Sequence, residues 1–208
     1  MSDARLVQDI CGRLDRGEID RDQFFEQLTR AVADLIGCTR AGVWVIVDTE
    51  QGRALRCMAT YDRRVDRIVL ADDMPAAAFG PYFHTLVNEG CVVAPDARHH
   101  PATSGFLDSY LVPQDIHSLL DVCFSVNGVP VGAFCCEQVG AACAWSQRQV
   151  QLLRQIGSRA SLALLHAANA EADTRPAALW EPTSPNRLLT RPAALEPAPP
   201  EERRRDPS

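Results

Sequence analysis

Ser118–Val126 (SLLDVCFSV), Asn127-Gly128 and Val129–Gln138 (VPVGAFCCEQ) decide the architecture of this 208-residue chain. Two β-rich runs flank an Asn-Gly pair, the strongest short-range signal for a two-residue hairpin turn, because both central positions of that turn favour positive φ. Strand alternation turns Asp121, Cys123 and Ser125 to one face and Leu120, Val122 and Phe124 to the other. One face is thus wholly apolar. The other carries an acid in the middle of a hydrophobic strand.

Working outward, Ser146-Gln147-Arg148-Gln149 has the spacing of a capping box. A long helix is expected from there to about Ala170, with Val150, Leu153, Ile156, Ala160, Ala163 and Leu164 inward. Toward the N-terminus, Ala41–Asp48 (AGVWVIVD) reads as a central strand. Gln51-Gly52 is a turn, Arg53–Tyr61 the returning strand, and Val65–Leu70 a shorter third strand. Ala76–Asn88 reads as a helix ended by Gly90, and Cys91–Ala94 as a short strand. Pro95–Pro101 (PDARHHP) is a polar loop, after which Thr103 or Ser104 is expected to cap a short helix through Leu111. Before the first strand, a helix capped by Asp20 or Asp22 carries Phe24, Phe25, Leu28, Val32, Leu35 and Ile36 on one stripe and stops at Gly37. Residues 4–16 form a further amphipathic helix. Antiparallel hairpins with helices at both ends make an α+β domain, with the terminal helices expected on one sheet face and the middle helix and loop on the other.

The boundaries follow composition. Residues 1–19 read as an N-terminal helical extension and 20–170 as the domain. Eight of the 14 prolines fall after residue 170, so 171–208 reads as a disordered Pro-rich tail. The chain has 21 Arg and no Lys, which excludes Schiff-base catalysis and a Walker-type phosphate loop. That usage, with abundant Ala, points to a GC-rich bacterial genome. A net charge of −6 argues against nucleic acid or an anionic membrane as partner. No apolar run approaches the ~20 residues a membrane helix needs, and the N-terminus does not resemble a signal peptide, so a cytoplasmic location is expected. The eight cysteines are then expected to be reduced, and none forms a CxxC pair.

The order and spacing of several motifs resemble GAF domains. These are Phe25 with Leu28; Ala41-Gly42-Val43-Trp44; Val93-Ala94-Pro95-Asp96-Ala97-Arg98; His100-Pro101-Ala102-Thr103; Tyr110-Leu111; Ser118-Leu119-Leu120-Asp121-Val122; Gly128-Val129-Pro130-Val131-Gly132; Cys135-Cys136-Glu137; and Trp145. The resemblance spans roughly residues 22–168. It implies a six-stranded antiparallel sheet flanked by helices on both faces, a small-molecule pocket between the sheet and the middle helix and loop, and a homodimer through the terminal helices. It also implies a sensory or regulatory role in bacterial signal transduction, beside an output partner such as a kinase or cyclase.

Candidate pocket residues under this resemblance are Phe79, Phe83, Phe106 and Tyr110 as apolar walls, and Asp96, Arg98, His99, His100 and Thr103 as polar anchors. Asp121 and Cys123 join them from the strand. Taken singly, each has a plainer role: the aromatics as core, the Arg and His residues as braces of their own loop. Asp121 reads either as a ligand acceptor or, preferred, as a buried brace paired with Arg98, because a buried carboxylate needs a partner. Glu137 is expected to bond loop backbone.

No catalytic residue, metal or cofactor is assigned. One GAF subfamily reduces free methionine sulfoxide with loop cysteines, but Asp96–Tyr110 contains no Cys, so a thiol oxidoreductase is the lesser alternative. A ligand-free protein-docking module is another. A bilin is not expected, since no Cys is followed by His. The cyclic-nucleotide signature requires a Lys. The five histidines are dispersed, and adjacent His99-His100 do not readily ligate one ion.

Overall fold

The computed structural model describes residues 3–172. The tail expected from residue 171 lies, from 173 onward, outside the described residues. Helices α1 (Asp3–Asp15) and α2 (Arg21–Ile36) lead into strands β1 (Arg40–Thr49), β2 (Gly52–Asp62), β3 (Arg67–Val69) and β4 (Met74–Pro75). Helix α3 (Gly80–Glu89) and strand β5 (Cys91–Ala94) follow. A 3₁₀ turn (Pro101–Phe106) runs into one π-helical turn (Leu107–Leu111), and β6 (Ile116–Val126), β7 (Val129–Val139) and α4 (Gln147–Ala172) complete the chain.

The α+β architecture is as expected. Six strands lie in the order β3-β2-β1-β7-β6-β5, and two-residue β4 adds a seventh by pairing with β2. All pairings are antiparallel. The β6–β7 hairpin turns on Asn127 and Gly128 at φ of 51° and 77°, the positive values an Asn-Gly turn supplies. It brings Asp121 opposite Cys135 and Leu119 opposite Glu137.

Alternation along the strands gives the sheet two cores. On one face, Leu120, Val122, Phe124 and Phe134 pack against α1, α2 and α4 through Val7, Ile10, Phe24, Phe25, Leu28, Val32, Leu153 and Ile156. Burying each large apolar side chain stabilises the fold by about 1.5–3 kcal/mol. Gly157 of α4 lies against β6: a Cβ there would stand 3.3 Å from the Phe124 Cβ. On the other face, Trp44, Leu55, Leu119, Ala133 and Cys135 pack against Tyr82, Phe83, Leu86 and Phe106. Gly132 is required where β1 and β7 meet, since a Cβ there would fall 2.3 Å from the Trp44 carbonyl oxygen.

The helix ends follow their caps. Asp20, not Asp22, caps α2 and forms a capping box with Gln23, worth about 1 kcal/mol. Ser146 and Gln149 exchange the equivalent bonds at the start of α4. The middle helix starts four residues later than its apolar pattern suggests. Met74–Pro75 pairs with β2, the Ala76 amide bonds the Arg53 carbonyl, and the helix begins only with Gly80-Pro81. The third strand is shorter than expected, because Arg63–Asp66 forms a turn that ends with Asp66 at φ 47°. No helix among the described residues is long and apolar enough to cross a membrane.

Candidate functional site

Between the sheet and the α3–3₁₀–π layer lies a cavity of about 20 Å³, lined by Trp44, Met74, Tyr82, Phe106, Tyr110, Leu119, Asp121, Cys135 and Glu137. It has room for about one water molecule. Trp44 reaches it because Gly42, two residues earlier in β1, leaves space for the indole: a Cβ at Gly42 would lie 3.0 Å from Nε1. The aromatic wall is interlocked. Phe106 stacks on Phe79 at 4.5 Å between ring centroids and meets the Tyr82 ring edge-on at 4.8 Å.

Two carboxyl groups enter this apolar space from neighbouring strands. Asp121, 2% exposed, accepts a hydrogen bond from the Tyr82 hydroxyl at 2.7 Å on Oδ2. Its Oδ1 is buried and has no hydrogen-bond partner among the described residues. Burial is the main reason its pKa rises from 3.8 to about 7; the Tyr82 bond opposes the rise, and the nearby Glu137 charge adds to it. A carboxylate withdrawn from water prefers its proton. Tyr82 responds in turn, its phenol held well above its ordinary value by burial and by Asp121.

Glu137 is deeper in a charge network. Its Oε1 accepts from the Tyr110 hydroxyl at 2.5 Å, and its Oε2 stands 3.1 Å from Arg40 Nη1 as an ion pair. Arg40 is buried on β1 and also faces Asp62 at 3.7 Å. Burial alone would weaken the Arg40 charge, but Glu137, Tyr110 and Asp62 outweigh it and hold the guanidinium protonated. Asp62 is shared with Arg64 at 2.6 Å. Arg40 therefore answers Glu137, and Arg64 answers Asp62. The groups acting on Asp121 are Tyr82 from α3 and Cys135, Glu137 and the Cys136 amide from β7, and none is positively charged.

Of the residues singled out from the sequence, Phe106, Tyr110 and Asp121 line the cavity, and Phe79 supports it by stacking on Phe106. Phe83 is core beside Tyr82. Cys123 packs partly buried against the same core without reaching the cavity. The loop anchors hold the loop. Arg98 donates to the Ile116 carbonyl and pairs with Asp115 at 2.9 Å, so the expected Arg98–Asp121 brace does not form. Tyr82, a neutral donor one layer above the strand, takes that place. Asp96 bonds exposed His99. His100 caps the 3₁₀ turn by accepting from the Ala102 amide, the role expected of Thr103 or Ser104. Thr103 is fully buried and donates to the Ala97 carbonyl at 2.6 Å. Glu137 binds Arg40 and Tyr110 rather than loop backbone.

Trp44, Met74, Tyr82, Leu119, Cys135 and Glu137 are lining residues that the sequence did not place in the pocket. Strand alternation offered a signal for three of them: Cys135 and Glu137 face the same side as Asp121 across the hairpin register, as does Leu119 two residues along. All eight cysteines are free. Burial pushes the Cys135 and Cys136 thiols well above their ordinary value and raises Cys11, Cys57, Cys123 and Cys143 as well.

A GAF domain family model matches residues 20–164. No curated protein gives a significant match. Among solved structures, the phycoerythrobilin-bound GAF domain of a cyanobacterial phytochrome is 14% identical at a TM-score of 0.65, covering 82% of this chain and 98% of that one. The GAF domain of an Acinetobacter phosphoenolpyruvate-protein phosphotransferase is 14% identical at 0.62, covering 85% and 100%. The GAF domain/HD domain protein of Geobacter sulfurreducens is 15% identical at 0.58, covering 74% and 98%. At these identities the likeness is one of fold.

Proposed function

The chain belongs to the GAF domain family, and from that premise we propose that it is a sensory module that binds a small molecule between β6–β7 and the α3–3₁₀–π layer and acts in signal transduction rather than as an enzyme. The observation that carries this reading is Asp121: a buried carboxyl with one unpartnered oxygen, set in an aromatic pocket. A buried acceptor left without a partner costs about 1–3 kcal/mol, and a ligand that supplies the missing donor recovers it. Several structural relatives support the same reading, including one that holds phycoerythrobilin. The ligand here is small. A cavity of about 20 Å³ is far below the ~300–1,000 Å³ of pockets for drug-sized compounds.

A thiol reductase draws no support from the pocket, because its one cysteine, Cys135, is kept protonated by burial and the thiolate is the reactive form. A homodimer through the terminal helices and a kinase or cyclase output partner belong to the same proposal. The side of α4 that points outward, with Gln151, Arg154, Gln155 and Ser158 beside Leu162, is exposed and open to such contacts.

Native mass spectrometry of the protein from its own host, followed by thermal shift against a broad metabolite set, tests the proposal. A bound small molecule, or a rise in melting temperature that the Asp121→Asn variant loses, is expected. A bare mass together with no shift from any metabolite overturns it.

A further inference from the structure

We propose that the pocket selects a small nitrogenous cation, from ammonium up to a guanidinium or amidinium group, over an anion. The inference rests on the sensory reading above and names its ligand class. Three features converge on it. The first is the orphan oxygen: Asp121 lines the cavity, its Oδ1 is buried without a protein partner among the described residues, and as a carboxylate it accepts N–H donors and pairs with no further acceptor. The second is the charge balance. Glu137 is answered by Arg40 and Asp62 by Arg64, while Asp121 meets only the Tyr82 hydroxyl, the Cys135 thiol, the Cys136 amide and the repelling Glu137. An anion entering here meets two carboxyl groups, and the cation behind them is already engaged. The third is the wall. Trp44, Tyr82, Phe106 and Tyr110 line the cavity, and an aromatic ring met face-on stabilises a desolvated cation through its quadrupole. Water-sized space admits ammonium directly. A guanidinium or amidinium group is larger than the cavity of about 20 Å³ and requires it to widen.

The chemistry carries its own signature. Asp121 holds a proton up to about pH 7 in the free protein. A bound cation favours its carboxylate, so binding expels that proton. Below the free-protein pKa, affinity rises with pH and then levels off. The expected gain is about tenfold from pH 6 to pH 8.

Isothermal calorimetry and thermal shift with ammonium, methylammonium, guanidinium and benzamidine chlorides at millimolar concentration, against sodium formate, acetate and benzoate at matched ionic strength, decide the matter. Expected is binding from the cation series only, tighter at pH 8 than at pH 6 by about tenfold. Calorimetry repeated in two buffers of different ionisation enthalpy should show proton release from the wild-type protein, and Asp121→Asn should abolish the pH dependence. The wild-type proton count stands even if the variant folds poorly. Preference for the anion series, or cation binding without proton release, overturns the proposal and leaves the sensory reading in place. Silence from both series while a host metabolite binds does the same. Silence from both series and from every metabolite overturns the sensory reading itself.

Discussion

Asp121→Asn replaces a titrating carboxyl by a neutral group of the same shape, which still accepts the Tyr82 hydrogen bond. In the folded protein Asp121 titrates near 7 against an ordinary 3.8. Its folded-state pKa is raised, so between those values the native state binds a proton that the unfolded chain has released. Stability from this group is therefore fully present below about pH 4 and is lost as pH climbs through 7. Integrating the two titrations from pH 5 to pH 8 gives a loss of about 2–3 kcal/mol. For a domain of this size that corresponds to about 5–10 °C in melting temperature. Melting curves by circular dichroism and urea titrations at pH 5 and pH 8, run on wild type and Asp121→Asn, isolate the effect, since every other titrating group cancels in the comparison. The variant should lose less stability than wild type on going from pH 5 to pH 8, by that 2–3 kcal/mol. Parallel pH profiles for the two proteins would refute the claim that this carboxyl is protonated at neutral pH.

Three further outcomes are expected. Gly132→Ala places a methyl group against the Trp44 carbonyl and the Phe124 ring and should cost about 1–3 kcal/mol or more by overpacking, read from thermal melts; a neutral result would mean the β1–β7 contact is looser than described. Arg40→Met strands Glu137 without its buried counter-charge and should cost about 3–5 kcal/mol in urea unfolding at neutral pH, whereas a change under 1 kcal/mol would remove Arg40 from the network. Ellman's reagent at pH 8 should react promptly with no more than Cys91, Cys123 and Cys143, because Cys11, Cys38, Cys57, Cys135 and Cys136 are buried, and denaturant should release all eight; a fast native phase of more than three thiols contradicts that burial.

Much of the fold was legible because it rests on local chemistry. The Asn127-Gly128 turn, the Asp20 and Ser146 caps and the alternation through Leu120–Phe124 each declare themselves within a few residues. The middle layer did not. Ala76–Phe79 has helical composition, yet Pro75 is committed to a strand pair with β2, a partner some 20 residues away in sequence that no local pattern names. The site was legible in part for the same reason. That Asp121 faces the cavity follows from strand period, but its partner does not. Arg98 is the nearer candidate by charge, and it is drawn off by Asp115 and the Ile116 carbonyl. Tyr82 reaches Asp121 across 39 residues only because α3 crosses above β6. Arg40 reads as a polar residue at a strand entrance. Its burial becomes apparent only when Glu137 and Asp62 arrive from the strands on either side.

The close seat of Gly157 on Phe124 bears on how a binding event is felt elsewhere. Asp121 and Phe124 share one strand and point to opposite faces, so the strand cannot slide by a residue without exchanging the two cores. What remains is flexure. At Gly157 no side chain cushions α4 against that flexure, and an added Cβ would stand only 3.3 Å from the Phe124 Cβ. Under the proposed sensory reading, a bow in β6 beneath Asp121 would press on α4 at Gly157 with no side chain between them to absorb it.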